Sequence, residues 1–540
     1  MNIGIAQFDP LVGAVEFNTQ LLLESLGDCE ESGGELIVTP ELFLVGYPPD
    51  DLIFSPDLMG RVDAALDIIR RATETSSVGI VVGAPWRGPG RRFYNSAFLI
   101  SDGVIHHRWD KQLLPFYDVF NDPRLFIPGD EAQVVVWRGR RVAALICEDS
   151  WADVYPNDYS VNPISQLIHQ RPELVVIPTA SPFEVDKTYR RHHVLTGVAR
   201  RLQCPIVMVN QVGAQDGLVY AGSSVVYNSR GDLLWQAPEF GQGCFVASLN
   251  ASEVSLTVPD RLSQLAQAIE TMISGYLYKS GFKKIVIGLS GGIDSAVVAS
   301  LAVRAIGASN VIGLMMPSDY TSDESKRDAK QLAEALGIHS VDYPISRIYQ
   351  SYLAELHWAQ TDHSLAMENI QSRIRGTIAM AVANESNALV VSTGNKSELS
   401  MGYCTLYGDL IGAFAPLADV YKTDVFALAN WINGHGGGIP EYTISRSPSA
   451  ELRPNQTDQE SLPPYDLLDT ILKMYIDDKR PLSDIIQTVG SPELVNSIIA
   501  RFHHNEFKRR QAPFGIKVSR VAFGKGRIWP VLAQIQKVSR

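Results

Sequence analysis

The apolar positions of this chain follow two rhythms, and the change comes part-way along. From residue 1 to about 250, short apolar runs end abruptly in a polar or charged residue: 3–6, 36–38, 79–82, 97–100, 104–107, 142–146, 174–177, 206–209 and 244–247. Brief runs rich in Val and Ile, closed by turn residues, predict strands. The runs 97–100 and 104–107 face each other across Ser101-Asp102-Gly103, which predicts a hairpin. Between the first two runs, Leu22, Leu23 and Leu26 fall on one side of a helix over 19–26. Strands mixed with helices predict an α/β sandwich with at least one central sheet.

Residues 248–262 are polar, carry Pro259, and read as a linker. Beyond them Leu262, Leu265, Ile269, Met272 and Tyr276 recur at three- and four-residue spacing, an amphipathic helix on a new core. The expected division is a first domain over 1–250, a linker over 251–261 and a second domain over 262–540. Apolar runs at 285–289, 311–315, 340–343 and 388–392 then alternate with helical stretches, including one to about 306 and one over about 323–336. Strand–helix alternation of this kind predicts a doubly wound parallel sheet, which binds ligands at the carboxyl ends of its strands. Residues 436–464 are long, polar and weakly periodic, and are expected to be a mobile lid that closes over a reaction intermediate.

The 540 residues are enough for several domains, and a 45% hydrophobic share supports sizeable cores. A formal net charge of −12 argues against general nucleic-acid binding. The five cysteines, Cys29, Cys147, Cys204, Cys244 and Cys404, contain no CxxC pair, so neither a zinc site nor a disulfide framework is indicated. The opening MNIGIAQFDP has no signal-like core, and no apolar run reaches about 18 residues. The expectation is a soluble cytoplasmic protein.

Three polar residues that close or follow strands carry the first candidate chemistry: Glu41, Lys111 and Cys147. A cysteine attacks as its thiolate and needs a base or a positive field. A carboxylate can take the thiol proton, and a lysine can stabilise the oxyanion formed at a carbonyl. A cysteine after a buried strand is more often a core residue, and a lone Glu or Lys at a strand end is usually solvated. Spacing alone does not bring the three together.

The second candidate is the loop after the 285–289 strand. Gly288, Leu289, Ser290, Gly291, Gly292, Ile293, Asp294 and Ser295 lead from strand to helix. Glycines allow close backbone approach, and the new helix presents free N–H groups, so the turn suits an anion. It is neither a GxxxxGK[ST] loop nor a GxGxxG fingerprint. The serines and backbone amides can cradle pyrophosphate, and Asp294 can hold a Mg²⁺ ion.

The strings VTPELFLVGYPPDDL, WDKQLLPFYDVFNDPR and VAALICEDSW resemble the three signatures of the nitrilase, or carbon–nitrogen hydrolase, superfamily over about residues 1–250. The resemblance implies a four-layer α-β-β-α sandwich. It also implies that Cys147 forms a thioester with an amide and releases ammonia, Glu41 shuttles the proton and Lys111 holds the tetrahedral intermediate. Tyr117, Ser181 and Lys187 match the glutamine-specific branch of that superfamily. SGGIDS resembles the pyrophosphatase loop of enzymes that cut ATP between its α- and β-phosphates.

A nitrilase-like glutaminase before this loop is similar to the glutamine-dependent NAD⁺ synthetases. MENIQSRIRGT, VVSTGNKSELSMGYCTLYGD, PLADVYKTDV, SPSAEL and NEFKRRQAPFG extend the likeness over nearly the whole chain. The resemblance implies ATP-dependent amidation of deamido-NAD through an adenylate, with ammonia from L-glutamine. It places Thr393 and Lys422, with Gly288–Ser295, at ATP positions. Asn369, Arg373, Glu398 and Lys508 fall at deamido-NAD positions, and Asp294 and Glu398 at Mg²⁺. Ser449 stands where shorter relatives have Thr, and Leu406 where they have Lys. A homo-oligomer with paired synthetase domains is implied as well.

Overall fold

The computed structural model describes residues 1–358, 364–454 and 456–533. The chain divides into two compact units, Met1–Arg261 and Leu262–Arg540.

In the first unit the strands run β1 (Asn2–Gln7), β2 (Leu36–Val38), β3 (Gly79–Arg87), β4 (Phe93–Ser101), β5 (Val104–Asp110), β6 (Val135–Trp137), β7 (Arg140–Ala144), β8 (Leu174–Thr179), β9 (Ile206–Asn210), β10 (Val212–Gln215), β11 (Leu218–Ala221), β12 (Val225–Tyr227), β13 (Leu233–Gln236) and β14 (Gly243–Ser248). They form two six-stranded sheets, β14-β1-β2-β3-β4-β5 and β13-β12-β9-β8-β7-β6, with β10-β11 as a separate hairpin. The 97–100/104–107 hairpin is present as β4–β5, closed by Ser101 opposite Val104.

The period-two pattern explains the layering. Ile3, Ile5, Val38, Val81 and Leu99 of the first sheet meet Val142, Val176, Val207 and Val226 of the second. The alternate residues point outward. Ile37, Ile80 and Val82 pack with Leu22, Leu26, Leu66 and Ile69 of the helices Val15–Glu31 and Leu58–Ala72. Val175, Ile177, Ile206 and Met208 pack with Leu167, Leu195 and Val198 of the helices Pro163–Ile168 and Lys187–Leu202. The result is an α-β-β-α sandwich. The first helix is longer than the 19–26 expected from leucine spacing; polar Asn18, just ahead of that span, is buried in it and satisfied by main-chain carbonyls.

The second unit has β15 (Lys284–Gly288), β16 (Val311–Met315), β17 (His339–Asp342) and β18 (Ala388–Val390), all parallel, in the order β17-β16-β15-β18. The order reverses between β15 and its two neighbours, which opens a crevice at the carboxyl end of β15. Ala379 and Ala383 of the helix Leu365–Ser386 pack on Val286, Leu314 and Val390. Helices Tyr465–Leu472, Leu482–Val489 and Pro492–His504 build a further apolar cluster around Leu468, Ile498 and Phe502.

Most of the described residues of 436–464 are loop. They contain the short helix Glu441–Ser445 and a turn at Asp458–Glu460. Arg453 pairs with Glu368 at 3.1 Å and Glu460 at 2.6 Å, and Tyr465 donates to Asp458 at 2.7 Å. These polar contacts lie along a segment without an apolar period. No helix among the described residues is long and apolar enough to cross a membrane.

Candidate functional site

Each unit holds a polar cluster at its strand ends. In the first, Glu41 follows β2, Lys111 follows β5 and Cys147 opens a short 3₁₀ turn, Cys147–Trp151, after β7. The Glu41 turn lies hard against β3. A Cβ on Gly83 would stand 2.4 Å from the Pro40 carbonyl, so only glycine admits the approach. Glu41 and Lys111 are each 1% exposed. Lys111 Nζ donates to Glu41 Oε1 at 2.7 Å and to Asp122 Oδ2 at 2.8 Å. Asn95 Nδ2 donates to Glu41 Oε1 at 2.7 Å, and Ala180 N–H to Glu41 Oε2 at 3.1 Å. Burial opposes the Lys111 charge, but Asp122 and Glu41 outweigh it and hold the ammonium above its usual range.

Cys147 sits at φ 48°, a left-handed conformation costing about 1–2 kcal/mol for a side chain with a Cβ. Burial and then Glu41 push its thiol up, opposed by Lys111 and by a hydrogen bond from the Ala180 amide. The thiol is therefore protonated at neutral pH and needs a base beside it. Backbone strain at a buried thiol, next to a buried carboxylate and ammonium, suits nucleophilic attack better than packing.

Around this centre, Tyr117 donates to Glu148 Oε1 at 3.0 Å and Tyr159 donates to the same oxygen at 2.9 Å. Burial raises the Glu148 carboxyl, with Lys111, the two hydroxyls and Lys187 acting against it. Ser181 is buried after β8, its amide donating to Asn210 Oδ1 at 2.9 Å. Lys187 opens its helix and reaches the Pro182 carbonyl at 3.0 Å. Lys111, Tyr117 and Lys187 thus all act on Glu148, the residue after Cys147, and Lys111 also meets Glu41. Asp122, Asn95 and Tyr159 were not singled out from the sequence. Asp122 does lie within WDKQLLPFYDVFNDPR, eleven residues after its partner lysine.

In the second unit the loop turns as its residues require. Gly291 sits at φ 75°, where an added Cβ would stand 2.4 Å from the Ser325 carbonyl. Gly292 N–H donates to Ser290 Oγ at 3.1 Å, and Ser295 Oγ to the Gly292 carbonyl at 2.9 Å. Asp294 lies in the first turn of the helix Ile293–Ile306. Two cavities meet at this loop. One, about 380 Å³, is lined by Gly288, Leu289, Met315, Arg375 and Ala379. The other, about 470 Å³, is lined by Ile293, Asp294, Asn369, Glu398, Lys422 and Lys508. Ser290, Gly292, Thr393, Arg446 and Ser449 line both.

Lys422 is the hub. Its ammonium pairs with Asp294 Oδ2 and, at 3.2 Å, with Glu398 Oε1. Burial opposes its charge, yet Asp294 and Glu398 hold it above its usual range. Among the described residues no group of three His, Cys, Asp or Glu side chains is arranged for a metal ion. Two converging carboxylates beside an anion loop nevertheless fit Mg²⁺, which is usually held by one or two carboxylates together with substrate phosphates.

The remaining predicted residues are less uniform. Asn369 accepts from Thr405 Oγ1 at 2.8 Å, and Lys508 donates to the Gly402 and Cys404 carbonyls, both at 2.7 Å. Arg373 is exposed and outside the lining of either cavity. Its guanidinium donates to the Leu406 carbonyl at 3.2 Å, so a cation meets the backbone at the position where the side-chain charge is missing. Arg446, Arg375 and Asn395 were not singled out from the sequence. Arg446 donates to the Gly291 carbonyl at 2.7 Å and ties the 436–464 segment to the loop.

The carbon–nitrogen hydrolase family model matches residues 2–257, and the NAD synthase family model matches residues 265–512. A glutamine-dependent NAD(+) synthetase from Synechocystis sp. is 39% identical over 98% of both chains. The chain belongs to the glutamine-dependent NAD(+) synthetases. A synthetase of that name from Acinetobacter baylyi is 38% identical over 98% of both chains. The solved synthetase from Acinetobacter baumannii, in complex with adenosine diphosphate, superposes with a TM-score of 0.78 at 36% identity over 98% of both chains.

Proposed function

We propose that this chain makes NAD⁺ by amidating deamido-NAD with ATP and glutamine, releasing AMP, pyrophosphate and glutamate. What carries the reading is the presence, in one chain of this family, of the buried Glu41–Lys111–Cys147 cluster and of the Gly288–Ser295 loop with Asp294 and Lys422.

In the first unit, Cys147 Sγ attacks the glutamine amide carbon and its proton passes to Glu41. The tetrahedral oxyanion forms beside the Lys111 ammonium, the C–N bond breaks, and Glu41 returns the proton to the leaving ammonia. Water then cleaves the thioester to give glutamate. Asp122 fixes Lys111, and Asn95 fixes Glu41. Tyr117, Ser181 and Lys187 bind the rest of glutamine, with Lys187 taking its α-carboxylate as a point charge.

In the second unit, Ser290, Gly291, Gly292 and Ser295 cradle the β- and γ-phosphates, and Gly288, Leu289 and Thr393 line the nucleotide's cavity. The deamido-NAD carboxylate attacks the α-phosphorus and pyrophosphate leaves. Ammonia then attacks the adenylated carbonyl and AMP leaves. Asn369, Glu398 and Lys508, which line the larger cavity, orient the dinucleotide, and Arg373 stands outside that lining. Mg²⁺, held by Asp294 and Glu398 with phosphate oxygens, would offset phosphate charge.

Two variants test the assignment. Cys147→Ala abolishes glutamine-driven synthesis and leaves synthesis from ammonium, whereas Asp294→Ala impairs both. Glutamine-driven synthesis by Cys147→Ala contradicts the nucleophile. We further propose a cytoplasmic homo-oligomer; a sedimentation profile of monomer mass at every concentration contradicts the assembly.

A further inference from the structure

Asp294 and Glu398 are held in one pattern. Each has one oxygen turned to Asn395 and the other to Lys422. Asn395 Nδ2 donates to Asp294 Oδ1 at 2.8 Å, and Asn395 N–H faces Glu398 Oε2 at 3.4 Å. Glu398 N–H in turn donates to Asn395 Oδ1 at 2.9 Å, which locks the pair. The second oxygens, Asp294 Oδ2 and Glu398 Oε1, converge on the single ammonium of Lys422. That side chain is 2% exposed, and both carboxylates are 18% exposed. The Tyr465 ring lies 5.5 Å from the ammonium, and Asp458, hydrogen-bonded to the Tyr465 hydroxyl, also lines the cavity.

We infer that Lys422 is a resident counter-ion that occupies the metal's place until a nucleotide arrives. The inference rests on the reading of Asp294 and Glu398 as the Mg²⁺ carboxylates. The two oxygens a divalent cation needs are the two that Lys422 holds, and those held by Asn395 stay in position whichever cation is present. A free divalent ion must displace a buried ammonium from two carboxylates, and no third protein carboxylate, cysteine or histidine among the described residues completes its shell. A nucleotide brings phosphate oxygens for the ion and a new anionic partner for the lysine, so the exchange becomes favourable only then. Lys422 lines the cavity that meets the loop, within reach of such an anion. Metal entry is thereby coupled to nucleotide entry.

The test uses Mn²⁺ as the probe, followed by electron paramagnetic resonance on the full chain, with and without a non-hydrolysable ATP analogue. Wild type binds Mn²⁺ tightly only with the analogue. Lys422→Met binds it without nucleotide at least about tenfold more tightly than wild type, since one buried like charge is gone. Lys422→Gln does the same and carries the test should the methionine variant fail to fold. Lys422→Arg, which keeps the charge, stays blocked. Added Mn²⁺ alone raises the melting temperature of the methionine variant but not of wild type. Equal nucleotide-free affinity in wild type and both neutral variants overturns the inference. If instead Asp294→Asn leaves Mn²⁺ binding with the analogue unchanged, the carboxylate assignment itself has failed.

Discussion

Replacing Gly291 by alanine perturbs the synthetase loop at its tightest point. The residue sits at φ 75°, and its new Cβ would stand 2.4 Å from the Ser325 carbonyl, 2.9 Å from Ser325 Cα and 3.0 Å from its carbonyl carbon. All three are backbone atoms, and Ser325 lies in the first turn of the helix Asp323–Leu336. No flexible side chain can yield. The left-handed conformation costs about 1–2 kcal/mol. Forcing a methyl into a packed site costs about 1–3 kcal/mol. A total near 3 kcal/mol corresponds to a fall of about 6–12 °C in the melting temperature of a unit of this size. Relief comes only by moving the loop off Ser325, which shifts Ser290 and Gly292 and breaks the Arg446 contact to the Gly291 carbonyl. We expect synthesis from glutamine and from ammonium to fall together by about 100-fold, as for a misplaced anion cradle. Glutamine hydrolysis in the absence of ATP should persist. Differential scanning calorimetry and paired assays with the two nitrogen donors read these quantities. An unchanged melting point with normal ammonium-driven synthesis would refute the claim that close approach to Ser325 shapes the loop.

Other predictions follow from the buried ion pairs. Because burial and Glu41 raise the Cys147 thiol, its iodoacetamide labelling should keep rising with pH beyond 9, the free-thiol value; a plateau below pH 7 would mean a preformed thiolate. Asp122→Asn removes one partner of Lys111 and draws the ammonium onto Glu41 alone. Glutaminase activity should fall at least about tenfold while ammonium-driven synthesis is retained, which steady-state assays with each donor would reveal. Lys396, fully buried between Asp419 at 2.9 Å and Asp477 at 3.1 Å, leaves Asp477 without its ammonium and Asp419 with Lys517 opposite when replaced by Met. Denaturant melts should show a loss of about 3–5 kcal/mol. His503 is held neutral by burial, its pKa lowered from 6.5 to about 4. The unfolded state therefore binds the extra proton first, and stability present above pH 6.5 should drain as pH falls toward 4. His503→Gln should flatten that slope in melts taken across this range.

The parts of the molecule legible in the sequence are those set by apolar period. The runs at 36–38 and 311–315 coincide with β2 and β16, because β-branched residues buried on both faces have no competing reading. The first helix begins ahead of its expected start because Asn18 is polar yet buried, satisfied by the main chain. The clustering at the candidate site was legible where a residue sits in a signature string, as Glu41, Lys111, Cys147 and Asp294 do. It was not legible where a partner is set by tertiary approach. Asn95 reaches Glu41 across 54 residues, Arg446 reaches Gly291 across 155, and neither spacing carries a period. Segment 436–464 has no apolar stripe, and contacts it makes, such as Arg453–Glu368, are ion pairs whose spacing carries no period. Arg373 shows the converse, a residue placed by motif whose side chain faces solvent and the Leu406 carbonyl.

The central claim is that the Gly288–Ser295 loop serves an adenylating reaction. The most direct test supplies deamido-NAD carrying ¹⁸O in both oxygens of its nicotinate carboxylate, with ATP and glutamine, and follows the label by mass spectrometry after turnover. Attack of the carboxylate on the α-phosphorus predicts one ¹⁸O in each AMP, one retained in the new carboxamide, and unlabelled pyrophosphate. Unlabelled AMP, or ADP formed with labelled inorganic phosphate, would contradict the account.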